Sequence, residues 1–402
     1  DRPRMRGKKG IGVISALDEQ PIYLKSRFGP FCIATDGFID NARELTNELL
    51  DGGMSFSEVG GNRFVNLTEL AARLITRGES LVDGIEHMFE SIDGSSSLLL
   101  LNAEGVYAAR DRMGYSSLAI GRRGGDWAVA SETSAFANLG FEVVKYLDPG
   151  EIVIISEDGM RQVRAGEAAN HICAFLWIYT GFPTSRYEGI NVETVRERCG
   201  QSLARRDRDI EVDVVAGIPD SGIGHALGYS MESRKPFRRP LVKYTPGYGR
   251  SYTPPSQDTR DLVAKMKLIP NEDIIKGQRI VICEDSIVRV TQLKNYTVKK
   301  LWEAGAREVH VRPACPPLMF PCRFNLSTRN VDELAARRAI RDIEGRDVED
   351  VSEYSDATSG KYGKMVEWIA RDLEVTTLRY QTLDDMIAAI GLPTERLCLY
   401  CW

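Results

Sequence analysis

The second half of the sequence alternates short apolar strands with helices, and this alternation constrains the fold more than any other feature. From about residue 188, helical stretches separate the apolar segments "DVVAGIPDSG", "RIVICED" and "EVHVRPAC". Strands that alternate with helices form βαβ units, whose strands run parallel in one sheet. We therefore predict an α/β domain with a parallel sheet, followed by a charged, helical region from 335 to 375.

The first half has a different rhythm, in which short strands follow one another across turns. Two helical stretches, "NARELTNELL" and "LTELAARLI", separate an early group of predicted strands ("IGVIS", "QPIYLKS" and "FCIATDG") from a later one ("SSSLLLLNAEGVYAARD", "SSLAIGRR" and "DWAVASE"). Consecutive strands joined by turns favour antiparallel pairing. We predict a layered α+β domain up to about Pro149, closed by the strand "IVIISEDG".

Composition excludes several classes of function. The chain has 402 residues, of which 27% are charged, and its net charge of −5 offers no basic surface for nucleic acid. No apolar run approaches the roughly 18 residues of a membrane helix, and the opening "DRPRMRGKKGIG" has no apolar signal-peptide core. Eight cysteines are too few for a disulfide scaffold and indicate a reducing cytoplasm. Because the sequence begins with Asp1 instead of Met, we expect that a preceding segment is missing.

One strand end carries groups suited to a ligand. The segment "VICEDSIVRVTQLKN", residues 281–295, runs from a buried strand through Glu284 and Asp285 into a helix. Ligands of open α/β sheets bind at the carboxyl ends of strands. Carboxylates accept hydrogen bonds from sugar hydroxyls, while the N–H groups and hydroxyls between Ser286 and Thr291 suit a phosphate. The loop therefore suits a ribose phosphate, although an acidic turn with a capping Ser explains its composition taken alone.

A second strand end adds another anionic subsite. The segment "GIPDSG", Gly217 to Gly222, follows an apolar strand and precedes a helix. Its tight turn exposes several N–H groups where a diphosphate could bind. This loop is a weak signal by itself, but the two loops together predict a site with two pockets for phosphate groups.

These loops resemble motifs of the glutamine phosphoribosylpyrophosphate (PRPP) amidotransferases, the enzymes that open purine synthesis. "EDSIVRVTQ" is similar to the PRPP signature of that family, and "PDSG" is similar to its pyrophosphate loop. The resemblance extends over nearly the whole chain through five further segments: "KMKLIP", "EAGAREVHVR", "ACPPLMFPC", "YAARDRMGYSSLAIGRR" and "VASETSAF". The resemblance implies an α+β N-terminal-nucleophile (glutaminase-like) domain at 1–165, an α/β phosphoribosyltransferase domain of type I at 166–375 and a C-terminal segment at 376–402. It also implies a homo-oligomer that responds to purine nucleotides.

The resemblance assigns roles around PRPP. Glu284 and Asp285 would hold the ribose hydroxyls and, together with PRPP, Mg²⁺. The pyrophosphate would bind at Asp220, Ser221 and Gly222, and the 5′-phosphate in the loop formed by Ser286, Ile287, Val288, Arg289, Val290 and Thr291. Four basic residues on a segment that closes over PRPP in the family would stabilise the departing diphosphate: Lys243, Arg250, Lys265 and Lys267. Taken singly, each of the four is better explained as solvated surface charge.

The cysteines carry a second part of the resemblance. A CxxC pair, Cys398 and Cys401, by itself allows zinc, redox chemistry or no function. In one branch of the family four cysteines hold a 4Fe–4S cluster, and the matching positions here are Cys173, Cys322, Cys398 and Cys401. Four thiolates suit such a cluster, so the resemblance implies the iron–sulfur branch.

The glutaminase half departs from the family pattern, which relies on an N-terminal Cys as nucleophile. Asp1 begins this sequence, and a missing segment before it could hold that Cys. Such a segment would not repair Asp36, which stands where the family has an amide donor to the oxyanion, or Leu67, which stands where it has an acid. A carboxylate would repel an oxyanion, so we predict a degenerate glutaminase site.

Val290 replaces a Gly of the PRPP signature. If its φ were positive, strain of about 1–3 kcal/mol would weaken PRPP binding, and Val290→Gly would tighten it.

Three functions fit these features. The first is a glycosyltransferase that moves the phosphoribosyl group of PRPP to ammonia or an amide nitrogen, with an impaired glutaminase half. The alternative is a non-catalytic homologue that binds PRPP or nucleotides and acts through a partner or an assembly. A phosphoribosyltransferase with another acceptor is the third. The intact acids of the first loop favour the enzyme, and Val290 favours the non-catalytic homologue.

Overall fold

The structure is a computed structural model that describes residues 7–15, 18–57, 65–167, 171–244, 268–324 and 330–402. The first part of the chain contains antiparallel sheets and the second part a parallel sheet, as the order of strands and helices in the sequence predicts. Within the described ranges, no helix is both long and apolar enough to cross a bilayer.

The first part contains two antiparallel sheets and three long helices. Its strands are β1 (Ile22–Ser26), β2 (Gly29–Ile39), β3 (Gly94–Leu101), β4 (Val106–Ala109), β5 (Ala119–Arg123), β6 (Asp126–Ala130), β7 (Glu142–Tyr146), β8 (Ile152–Ser156) and β9 (Gly159–Arg164). Its helices are α1 (Ala42–Asp51), α2 (Leu67–Ile75), α3 (Leu81–Ser91) and α4 (Ser134–Ala137). One sheet has the order β1-β2-β3-β4-β8-β9 and the other the order β6-β5-β7.

The larger sheet has two different faces because side chains alternate along β2 and β3. Ile33 and Leu100, which pair across these strands, are fully buried against the helices α1–α3. Asp36 pairs with Ser97 on the opposite face. That face turns toward the smaller sheet, where buried residues such as Ile120 form a second core. The polar pair therefore lies between the two sheets.

The second part is built on a parallel sheet with helices on both faces. Its strands are β10 (Ile172–Cys173), β11 (Arg186–Tyr187), β12 (Ile190–Asn191), β13 (Val214–Gly217), β14 (Leu241–Lys243), β15 (Leu268–Pro270), β16 (Arg279–Glu284), β17 (Glu308–Pro313), β18 (Thr377–Leu378) and β19 (Leu397–Cys398). Its α-helices are α5 (Val192–Arg205), α6 (Ile223–Ser233), α7 (Glu272–Ile275), α8 (Val290–Leu293), α9 (Lys299–Glu303), α10 (Ala335–Glu344), α11 (Ser352–Ser355), α12 (Gly360–Leu373) and α13 (Leu383–Ile390). Short helical turns of other types span Leu176–Thr180, Lys294–Val298, Val331–Glu333 and Thr394–Arg396.

The central sheet runs β13-β16-β17-β18, with every neighbouring pair parallel. Separate hydrophobic clusters cover its two faces, which explains why its strands read as continuous apolar runs. β10 pairs in parallel with β19, so that Cys173 lies beside Cys398.

A buried ionic network fixes β17 to the loop after α5. The guanidinium of Arg312, fully buried, donates to the carboxylate of Asp207 and to Thr377 Oγ1 at 3.0 Å. Tyr229 Oη donates to the same carboxylate at 2.8 Å, and Arg379 completes the network from the surface. Every polar end of this core cluster is thereby paired, which a buried charge requires.

Some predictions from the sequence are wrong or incomplete. The segment 11–15, predicted as a strand, contains no regular element, because a strand needs a pairing partner and Gly12 disfavours an isolated strand. The strands β7 and β9 and the helix α3 were not predicted. The segment "DTRDLVAKMKL" (258–268) also predicts a helix, but it lies outside the described residues except at Leu268, which belongs to β15.

Candidate active site

The two predicted phosphate loops lie side by side at the carboxyl edge of the parallel sheet. β13 and β16 are neighbours, and Gly217 pairs with Cys283 at their ends. Across the gap, Ser221 Oγ donates to Glu284 Oε1 at 2.8 Å. A Cβ on Gly222 would stand 2.2 Å from the carbonyl oxygen of Cys283, so only glycine allows this approach. The structure therefore joins the two subsites that the sequence suggested separately.

Two adjacent carboxylates form the centre of this edge. Asp285 is only 6% exposed, and its N–H donates to Glu284 Oε1 at 3.0 Å. Ser286 Oγ donates to Asp285 Oδ1 at 2.5 Å. Desolvation, followed by the negative charge of Asp285, raises the pKa of Glu284 well above its ordinary value. Without a ligand, the protonated form of Glu284 is therefore favoured. A bound cation or hydrogen-bond donor would reduce the repulsion between the charges of Glu284 and Asp285.

Of the four basic residues predicted around the diphosphate, the structure describes one. Lys243 Nζ lies 2.6 Å from Asp220 Oδ2, at the end of β14 beside the second loop. A diphosphate bound at this turn would compete with Asp220 for the ammonium group. Arg250, Lys265 and Lys267 lie outside the described residues.

Part of the first loop, Ser286 to Thr291, packs into the protein core and does not face the candidate site. The side chains of Ile287 and Val290 are buried in the hydrophobic core. The carbonyl of Val288 accepts a hydrogen bond from Ala335 N at 2.9 Å, and the guanidinium of Arg289 pairs with Glu333. The exposed Thr291 stands at the start of α8. Backbone groups and the Thr291 hydroxyl therefore remain for a phosphate, since Ser286 already donates its hydroxyl hydrogen to Asp285.

The condition behind the expected strain at Val290 is not met. Val290 is the first residue of α8 and is absent from the described non-glycine residues with positive φ. Its side chain is 2% exposed and packs in the core. The β-branched residue is therefore a packing element, and the prediction that Val290→Gly tightens PRPP binding is withdrawn.

We expect Val290→Gly to lower the free energy of unfolding by about 2–4 kcal/mol, because it empties a core position and adds a glycine to a helix. Denaturant unfolding followed by tryptophan fluorescence measures this loss, since Trp302 and Trp368 pack against the same core. Val290→Ala is the matched variant that removes packing with less backbone freedom. A variant as stable as the wild type would contradict the packing role.

The glutaminase-like site lies between the two sheets of the first part. Asp36 reaches solvent, but protein atoms surround its carboxylate, and desolvation, with the charge of Asp111 second, raises its pKa. Asp111, which the sequence did not single out, is buried and accepts from Ser97 Oγ at 3.1 Å. The next residue, Gly37, has φ +147°, and a Cβ there would meet the carbonyl of Ser95 at 2.0 Å. The chain thus places a carboxylate, not an amide donor, at this face.

Leu67 opens α2, where its N–H donates to Asp18 Oδ2 at 3.2 Å and its side chain packs against the first core. It offers no charge to a substrate amine. Glu132 lies near Asp36, and it accepts from Tyr187 Oη at 3.0 Å. The site is therefore rich in acidic side chains, and Asp36 does not supply the amide donor that an oxyanion needs.

The four predicted cluster cysteines come together where the two parts of the chain meet. Cys173 and Cys398 are register partners, and Cys401 is hydrogen-bonded to Cys322. Burial raises the pKa of Cys173 to about 12 and of Cys398 to about 11, and the hydrogen bond to Cys322, with burial, holds the pKa of Cys401 above its ordinary range. Without a bound cation these thiols stay protonated.

The cysteine site differs from a site for one ion. Among the residues that the structure describes, no group of three or more His, Cys, Asp or Glu side chains is arranged to hold a single metal ion. A 4Fe–4S cluster would instead take one thiolate ligand from each of four cysteines. The donor set, four thiols without a disulfide, matches the chemistry of such a cluster.

Comparisons with known proteins agree with both halves. Residues 9–138 match the family model described as "Glutamine amidotransferase domain". The amidophosphoribosyltransferase of Methanocaldococcus jannaschii is 30% identical over 95% of this chain and 78% of that protein. The amidophosphoribosyltransferase of Bacillus subtilis is 35% identical over 83% of this chain and 71% of that protein.

Solved structures agree with the fold of the whole chain. The glutamine PRPP amidotransferase from B. subtilis, complexed with ADP and GMP, superposes with a TM-score of 0.79 at 31% identity, over 96% of this chain and 79% of that one. This confirms the predicted fold, a glutaminase-like domain followed by a phosphoribosyltransferase domain with a parallel sheet. With this agreement in sequence and structure, the chain belongs to the amidophosphoribosyltransferase family.

Proposed function

We propose that this chain transfers the phosphoribosyl group of PRPP to ammonia with release of pyrophosphate, and that its glutaminase half is impaired. The observation that carries the proposal is the hydrogen bond from Ser221 to Glu284, which joins a diphosphate loop to a pair of carboxylates. Residues 1–165 would form the glutaminase-like domain, 166–375 the phosphoribosyltransferase domain and 376–402 the segment with the CxxC cysteines.

Each loop has a part in the transfer. Glu284 and Asp285 accept hydrogen bonds from the ribose hydroxyls, and the backbone from Ser286 to Thr291 binds the 5′-phosphate. The turn from Asp220 to Gly222 and the ammonium of Lys243 hold the diphosphate. Nitrogen forms a bond to C1 of the ribose as the C1–O bond to pyrophosphate breaks, and the new amine loses a proton to water. The protein acts by positioning and by balancing charge.

Magnesium fits the same edge. Two adjacent carboxylates, of which desolvation and then mutual repulsion favour protonation at Glu284, are a suitable partner for a hard cation. Glu284 and Asp285 would hold Mg²⁺ together with PRPP, and the ion would supply positive charge to the diphosphate.

The four cysteines would hold the 4Fe–4S cluster, which implies the iron–sulfur branch of the family.

The choice of nitrogen donor tests the proposal. We expect pyrophosphate release from PRPP to be at least about tenfold faster with ammonia than with glutamine at equal concentration, because Asp36 supplies no amide donor to the oxyanion of glutamine hydrolysis. A coupled pyrophosphate assay on the full chain measures both rates, and glutamate release measures hydrolysis directly.

Asp36→Asn is the matched variant, since asparagine restores a donor of the same shape. Equal rates with both donors, or robust glutamate release, would contradict the impaired glutaminase. No pyrophosphate release with either donor, together with PRPP binding seen by calorimetry, would support the non-catalytic alternative.

The remaining proposals concern the surroundings of the enzyme. The B. subtilis structure was solved with ADP and GMP, and we propose that purine nucleotides regulate this chain as well, in a homo-oligomer. The cytoplasm is the proposed location, because the cysteines form no disulfide.

A further inference from the structure

A buried phenol lies beside the cysteine site and has no part in the transfer described above. The side chain of Tyr115 is 3% exposed, and its hydroxyl lies 3.6 Å from Cys322 Sγ. The same hydroxyl is hydrogen-bonded to Cys173. One phenol thus reaches two of the four cysteines, Cys173 and Cys322, which lie far apart in the sequence.

The backbone of Tyr115 contacts the same site. Its carbonyl accepts a hydrogen bond from Cys173 N at 3.2 Å. Its ring packs against Phe324, two residues after Cys322, with centroids 5.6 Å apart. These contacts fix both the position of the phenol and the segment that carries Cys173.

The loop around Tyr115 is held rigidly from the other side. The fully buried Arg110 donates to the carbonyl of Ser116 at 3.0 Å and to that of Gly114 at 2.8 Å. The N–H of Tyr115 donates to Asp111 Oδ1 at 3.3 Å. The phenol is therefore connected through one short loop to the carboxylate site between the sheets.

We propose that Tyr115 is a positioning residue of the cysteine site, whose hydroxyl donates a hydrogen bond to the cluster thiolates and sets the reduction potential and retention of the cluster. This rests on the proposed function, in which the four cysteines hold a 4Fe–4S cluster. Thiolates accept and cannot donate, so Tyr115 must be the donor once the cysteines are ligands. Hydrogen bonds to cluster sulfurs stabilise the more negative, reduced state.

The test compares Tyr115→Phe with the wild type as full chains, both reconstituted and purified without oxygen. We expect a more negative reduction potential in a redox titration followed by electron paramagnetic resonance. We also expect iron loss to a chelator to be about 10- to 100-fold faster, the usual effect of losing an outer-shell partner. Replacing Tyr115 by 3-fluorotyrosine keeps the shape and strengthens the donor, so the potential should shift in the opposite direction.

Tyr107→Phe is the matched control, because its hydroxyl bonds Glu104 at 2.5 Å in the same domain. Circular dichroism establishes that each variant is folded. An unchanged potential and unchanged iron loss in Tyr115→Phe would overturn the role of Tyr115, as would a shift in the same direction for fluorotyrosine. Wild-type protein without iron and sulfide would instead overturn the cluster itself, while leaving the transfer assay unaffected.

Discussion

Glu284→Gln is expected to lower kcat/KM for PRPP by about 100-fold and, at the same time, to stabilise the free protein at neutral pH. The loss follows because an ionised acceptor of the ribose hydroxyls is removed; hydrogen bonds to charged groups contribute about 1.5–3 kcal/mol each, and about 1.4 kcal/mol is a factor of ten. Initial rates of pyrophosphate release with ammonia measure this effect.

The gain in stability follows from the raised pKa of Glu284, which desolvation and the charge of Asp285 produce. In the unfolded chain Glu284 has its ordinary pKa of 4.5, whereas in the folded chain its pKa is higher and the protonated form is favoured. Stability is therefore lost as the pH rises from below 4.5 through the folded pKa. Glutamine resembles the protonated acid and can donate to Asp285, so the variant should melt higher at pH 7, and the difference should vanish near pH 4.

Glu303→Gln is a suitable control, because Glu303 is 63% exposed and its ion pair with Lys299 measures 3.9 Å. It should change neither rate nor melting temperature, since exposed pairs contribute little. A Glu284→Gln enzyme with full activity would remove the carboxylate pair from the site. A variant less stable than the wild type at pH 7 would show that the pair is not repulsive.

Arg312→Met is expected to lower the free energy of unfolding by about 3 kcal/mol. Met fills much of the space, so the cost comes from Asp207, whose side chain is 1% exposed and would lose its buried partner. Tyr229 and Arg379 still contact the carboxylate, which keeps the loss at the lower end of the range for such pairs. Denaturant unfolding measures it.

The double variant Arg312→Met with Asp207→Leu separates charge from packing. Removing both partners should recover part of the stability, because no buried charge remains unpaired. Arg341→Met, which removes a 37% exposed partner of Asp332, should cost less than about 1 kcal/mol. If the double variant loses as much free energy of unfolding as the two single variants together, the loss is caused by changed packing and not by an unpaired charge.

The meeting of the two candidate phosphate loops at one sheet edge was predictable because their groups lie in short, contiguous segments. The sequence places Glu284 and Asp285 at a strand end, and α6 begins and ends where its apolar pattern does. Neighbouring parallel strands then bring two loops together without further information.

Other parts depend on contacts between residues far apart in the chain. Nothing near Asp111 or Tyr115 in the sequence indicates that one meets Asp36 and the other the cysteines. Val290 illustrates the converse error: a comparison of motifs suggested strain, but its φ and its burial are set by the core around α8. The segment 11–15 has strand-like residues and no strand, because pairing is decided by a partner.

The pairing of β10 with β19 also sets an order of events during biosynthesis. Cys173 leaves the ribosome long before Cys398 and Cys401, and nearly the whole phosphoribosyltransferase part is made in between. Cys173 and Cys322 by themselves supply half of the donor set. The proposed cluster, with its four cysteine ligands, could therefore be inserted only after the chain has been synthesised through Cys401.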